Sequence, residues 1–139
     1  MNFFKWFEDI LPMLEKRAVS MKKIIDYLET LPSPIFILET GCLRKVNSFA
    51  GDGQSTLIFD NYIQHRGKDS KIFTVDINEL NVRACKNTVS ENVHVECSDS
   101  IKFISNFNKL IKDNKLSLLY LDSFDVNWDY PLESSAHHL

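Results

Sequence analysis

Residues 3–11 set Phe3, Phe4, Phe7, Ile10 and Leu11 at helical spacing and predict a short amphipathic helix. Pro12 can open a second helix, because its missing amide is no loss in a first turn. There Leu14, Ala18, Met21, Ile25 and Leu28 form one apolar stripe. The prolines of the stretch LPSP, residues 31–34, stop that helix, each removing a donor and holding the residue before it extended. Residues 1–34 therefore read as a helical cover for the remainder of the chain. From Ile35 the period changes to short apolar runs alternating with amphipathic segments. Strands are expected at 35–38, 71–77, 93–97 and 116–122, and helices at 54–65, 78–89 and 100–111. Leu57, Ile58, Tyr62 and Ile63 should face inward in the first of these helices, and Leu80, Ala84 and Cys85 in the second. The third offers Ile101, Phe103, Ile104, Phe107, Leu110 and Ile111. Asn78 suits a helix cap and Gly67 a helix stop. The run LSLLYLD is the most apolar of the strands, a composition suited to burial on both faces.

Alternating strands and helices with short connections imply right-handed crossovers and a parallel sheet. The class expected is α/β, a Rossmann-like three-layer αβα domain over 35–139 behind the helical cover. With 139 residues the chain is one domain at most, long enough for a substantial core. A net charge of -3 gives no ground for nucleic acid or an acidic membrane as partner. Cys42, Cys85 and Cys97 are odd in number and lack CxxC spacing, so neither a disulfide framework nor a zinc site is indicated. Reduced thiols fit a cytoplasmic protein. Lys5, Glu8 and Asp9 interrupt the aromatic amino terminus, which lacks the pattern of a signal peptide. No run approaches a transmembrane span.

Ligands of open parallel sheets bind beyond the carboxyl ends of the strands. The acidic residues fall there: Glu39 after the first strand, Asp76 after the second, Asp99 after the third and Asp122 after the fourth. A carboxylate after the second strand suits a ribose, because an ionised carboxylate only accepts and has two oxygens for two hydroxyls. Asp99 fits either of two roles, taking an amino hydrogen from an adenine edge or capping the helix that starts at Ser100. The glycines depart from a dinucleotide fingerprint, since CLRKVNSFA separates Gly41 from Gly51 and Gly53. Asp52 sits where a diphosphate would approach. Its charge favours a cationic or zwitterionic ligand, although an aspartate near a helix start also complements the helix dipole.

These stretches resemble the motifs of class I S-adenosylmethionine-dependent methyltransferases. ILETG is similar to their first motif and VDI to the second-strand motif whose aspartate holds the ribose. CSDS resembles the third and LLYLDSFD the fourth. The resemblance covers roughly residues 35–125 and implies S-adenosylmethionine as cofactor. Glu39, Thr40, Gly41, Gly51, Asp52, Gly53, Gln54 and Ser55 would then lie about its methionine part. Asp76 and Ile77 would meet the ribose, Asp99 and Ser100 the adenine, and Asp122 would lie near the transferred methyl. The implied activity is methyl transfer to a small-molecule acceptor. The implied strand order is 3-2-1-4, with the fourth strand at an edge. The family continues through three further strands, so the chain is expected to be truncated or to pair through that edge, for instance as a homodimer.

Three other readings stand beside this one. Asp122, Asp125 and Asn127 could hold Mg²⁺, although two carboxylates and an amide are an incomplete set of oxygen ligands. His137 and His138 could serve as a base, or simply be solvated at the terminus. Cys42 reads as a small buried residue rather than a nucleophile. For the whole chain, the alternatives are an NAD-dependent oxidoreductase of the same architecture and a non-catalytic module that pairs through its edge strand.

Overall fold

The computed structural model describes residues 2–41, 54–67, 69–111 and 114–121. Along them run α1 (Phe3–Ile10), a 3-10 segment (Leu11–Arg17), α2 (Ala18–Glu29), β1 (Phe36–Thr40) and α3 (Ser55–Arg66). There follow β2 (Lys71–Asp76), α4 (Glu79–Thr88), β3 (Val93–Cys97), α5 (Ser100–Asn106), α6 (Asn108–Ile111) and β4 (Leu118–Leu121). The four strands form one parallel sheet in the order β3-β2-β1-β4. This is the Rossmann-like α/β arrangement with amino-terminal helices that the alternation predicts.

The order has a consequence for where a ligand can sit. From β1 the chain steps outward through β2 to β3, then crosses back to place β4 on the other side of β1. Right-handed crossovers in opposite directions put their helices on opposite faces. Accordingly α3 and α4 pack on one face, where Ile58, Phe59, Tyr62, Ile63, Val82 and Cys85 meet Ile37, Ile72, Val93 and Val95. The helices α5 and α6 cover the other, where Phe103, Phe107 and Ile111 meet Phe36, Leu38, Phe73 and Val75. The direction reverses between β1 and β4, and a crevice opens at the carboxyl ends of such a pair.

The amino-terminal helices share the α3 side of the core through Phe3, Phe7, Ile10, Leu14, Met21, Ile25 and Leu28. Asn2 caps α1, its side chain accepting from the amides of Phe4 at 3.1 Å and Lys5 at 3.3 Å. Arg66, the last residue of α3, closes the end of α2. Its guanidinium donates to Leu28 O at 2.7 Å, to Leu31 O, and to Tyr62 Oη at 2.7 Å. Carbonyls left over at a helix end are thus satisfied by a cation, which also suits the helix dipole.

Four local expectations are corrected. Pro12 opens a 3-10 segment rather than an α-helix, and Glu15 within it turns left-handed at φ 53°, so regular helix resumes only at Ala18. The helix expected at 100–111 is divided at Phe107, whose amide bonds Ile104 O three residues back. In α4, Leu80 is 71% exposed and Val82 is buried instead. The Asn78 cap sets the helix phase so that Val82 and Cys85, three apart, face the sheet, while the first turn projects past the carboxyl edge. Finally, β4 is not buried on both faces, since Leu119 and Leu121 are 44% and 38% exposed. As an edge strand beside β1 it lies beyond the cover that α5 and α6 give the middle of the sheet. None of the helices among the described residues is long and apolar enough to cross a membrane.

Candidate functional site

The end of β1 carries a buried polar cluster. Glu39 is wholly buried and faces α3 rather than solvent. It accepts hydrogen bonds from the hydroxyls of Ser55 and Thr56, the first two residues of α3, and from Thr74 Oγ1 at 2.9 Å. Thr74 lies opposite Glu39 in the β1–β2 register. Three hydroxyl donors converge on the two oxygens of one carboxyl group. The cluster fastens β1, β2 and the first turn of α3 together. Glu39, expected from sequence beside a ligand's methionine part, has its oxygens on these hydroxyls.

Thr40 is buried at the last position of β1, and Gly41 follows with φ 88°. The Gly41 amide donates to Val75 O at 2.7 Å, holding the exit of β1 against β2. Only glycine enters that backbone region without a Cβ penalty. Gly41→Ala is expected to lower stability by about 1–2 kcal/mol, measurable by urea denaturation. Gln54 is buried immediately before α3, where its carbonyl accepts from the Ile58 amide at 3.0 Å.

At the next strand, Asp76 ends β2, half-buried at the rim. Its Oδ1 accepts from the Asn78 amide at 2.9 Å and its Oδ2 from Asn81 Nδ2 at 3.4 Å, so the carboxylate is oriented from beneath. Asn78 in turn accepts from the amides of Leu80 at 2.8 Å and Asn81 at 3.2 Å as the cap of α4. Beside Asp76, Ile77 and Leu80 are 73% and 71% exposed, two apolar side chains on the rim. The turn after β3 is tied to this one by Ser98 N donating to Asp76 O at 3.0 Å. Asp99 takes the capping role of the two open to it. Its Oδ1 accepts from Ile101 N at 2.9 Å and Lys102 N at 3.2 Å, with Ser100 as the first residue of α5.

The structure thus brings Glu39, Thr40, Gly41, Gln54 and Ser55 together at β1 and α3, and places Asp76, Ile77, Asp99 and Ser100 along the same edge. Gly51, Asp52, Gly53 and Asp122 lie outside the described residues, as do Cys42, Asp125, Asn127, His137 and His138. Thr56, Thr74, Asn78 and Asn81 are the participants that sequence reasoning missed as site residues. Thr74 had one visible signal, standing two positions before Asp76 in a strand and so on the same face. Among the described residues no group of three His, Cys, Asp or Glu side chains could hold a metal ion.

No protein-family model, curated protein or solved structure matches this chain.

Proposed function

We propose that this carboxyl edge binds S-adenosylmethionine and that the protein serves methyl transfer to a small-molecule acceptor. The observation that carries the reading is the juxtaposition of Gly41 and Asp76 at the carboxyl ends of β1 and β2, beside the switch point. A left-handed glycine ends β1, and an oriented, half-buried carboxylate ends the neighbouring strand. In this reading Asp76 accepts the two ribose hydroxyls, and Ile77 and Leu80 offer apolar surface to the adenine face. The Gly41 turn lets the methionine part approach the backbone closely, because no Cβ stands there. Glu39, through Ser55 and Thr56, holds the start of α3 in register with that turn. The cofactor supplies an electrophilic methyl group, and the protein's part is to align it with an acceptor, positioning being a large share of such rate enhancements.

Calorimetric titration separates this reading from a dinucleotide-dependent oxidoreductase. S-adenosylhomocysteine is expected to bind with one site per chain, and NAD to give no heat of binding. Saturable binding of NAD without binding of S-adenosylhomocysteine would overturn the reading.

A further inference from the structure

We infer that Asn81 is a positioning residue for the ribose site, holding the Asp76 carboxylate in place from the first turn of α4. Its side-chain Nδ2 donates to Asp76 Oδ2 at 3.4 Å, while the Asn78 amide donates to Oδ1 at 2.9 Å. With one donor on each oxygen, rotation of the carboxylate is resisted from both sides. The Asn78 contact comes from a backbone amide that any residue but proline would supply. The Asn81 contact depends on the side chain, and only the nitrogen of that amide can donate. Asn81 serves the helix separately, through its backbone amide, which donates to Asn78 Oδ1 at 3.2 Å. Asp76, Asn78 and Asn81 are thus each bonded to the other two, a ring closed within the stretch DINELN.

Ordering a mobile side chain when a ligand arrives is one of the costs of association. Asn81 orders Asp76 in the folded protein beforehand, and so improves affinity without touching the ligand. The inference deepens the proposed function and rests on it for the ribose role of Asp76. The contact between the two side chains rests on the geometry of the β2–α4 turn alone.

The test titrates S-adenosylhomocysteine, and NAD in parallel, into wild-type protein, Asn81→Ala, Asn81→Asp, Asp76→Ala and the Asp76→Ala/Asn81→Ala double variant. Asn81→Ala is expected to bind S-adenosylhomocysteine about 3- to 10-fold more weakly. Its fold should be retained, because the backbone amide at this position still bonds Asn78. Asn81→Asp keeps the shape and suits the helix dipole, but sets a second acid beside Asp76 and should lose more than Asn81→Ala. In the Asp76→Ala background, Asn81→Ala should cost nothing further, whereas independent roles would give losses that add. Without any ligand, the side-chain amide resonances of Asn81 in ¹⁵N-labelled protein should move on Asp76→Ala. Unmoved resonances, additive losses or wild-type affinity in either Asn81 variant would overturn the inference while the proposed function stands. If wild-type protein binds NAD and not S-adenosylhomocysteine, the proposed function falls. The same pattern of losses with NAD, whose riboses carry the same pair of hydroxyls, then keeps the positioning role, and its absence removes it. If neither ligand binds, both fall.

Discussion

Tyr62→Ala is expected to destabilise the protein by about 3–5 kcal/mol, the range for deleting a buried aromatic side chain. Tyr62 is wholly buried in α3 where the amino-terminal helices meet the sheet domain. Its ring meets Phe3 edge-on at 5.3 Å between centroids, a favourable geometry for an aromatic pair. Its hydroxyl donates to Glu29 Oε2 at 2.7 Å and accepts from Arg66 Nη1 at 2.7 Å. Truncation therefore opens a cavity and also strands the Arg66 fork that closes α2. Domains of this kind are stable by only about 5–15 kcal/mol, so the loss is a large fraction of the whole. Urea denaturation followed by far-ultraviolet circular dichroism reads it as a lower midpoint. A midpoint within experimental error of wild type would mean that α1 and α2 do not dock through Tyr62.

The same residue sets an alkaline limit. Burial foremost, and then the hydrogen bond to Glu29, push the Tyr62 phenol well above its ordinary value, with Arg66 acting in the opposite direction. The folded state therefore holds the proton more tightly than the unfolded state, where the phenol titrates at about pH 10. Its contribution to stability is fully present below about pH 10 and is lost as the pH rises beyond it. Tyr62→Phe removes this dependence, so the variant's stability should fall less steeply than wild type's above about pH 10.

Asp76→Ala is expected to weaken binding of S-adenosylhomocysteine by about 10- to 100-fold, the equivalent of one or two hydrogen bonds to a charged acceptor. Fold stability should change little by comparison, because Asp76 lies at the rim and its bonds to Asn78 and Asn81 are local. The two effects are separable, as affinity is read by calorimetry and stability by denaturation. Asp76→Asn keeps the shape, loses the charge and turns one oxygen into a donor, so it should fall between Asp76→Ala and wild type. An Asp76→Ala variant that binds as tightly as wild type would remove the ribose role from this carboxylate.

Most of the framework was legible because it rests on local periodicity. The strand 93–97 lies where its alternation put it, and the Asn78 cap and the acidic ends of the strands could be read one residue at a time. The helix phase of α4 was not legible. Leu80 is the more apolar choice on paper, but the cap and the sheet contact of Val82 and Cys85 decide which side turns inward. The break at Phe107 escaped for a similar reason, since the apolar spacing of 100–111 runs through it unbroken. What the sequence could least disclose is the Glu39 cage. Thr74 and Glu39 are 35 residues apart and meet only through strand register, while Arg66 reaches Leu28 across 38 residues. The hydroxyls that gather on Glu39 come from α3 and β2 and could not be read from the residues around it.

The carboxyl edge has a rival for the ligand at the opposite end of the sheet. A groove of about 280 Å³ opens at the amino end, lined in part by Tyr27, Leu31, Pro34 and Leu116. Titrating ¹⁵N-labelled protein with S-adenosylhomocysteine and following the amide resonances decides between them. The account predicts saturable shifts at Gly41, at Asp76 to Asn78 and at Ser98 to Ser100, with Tyr27, Leu31 and Leu116 unmoved. Shifts confined to the amino-end groove, or none at all, would contradict it.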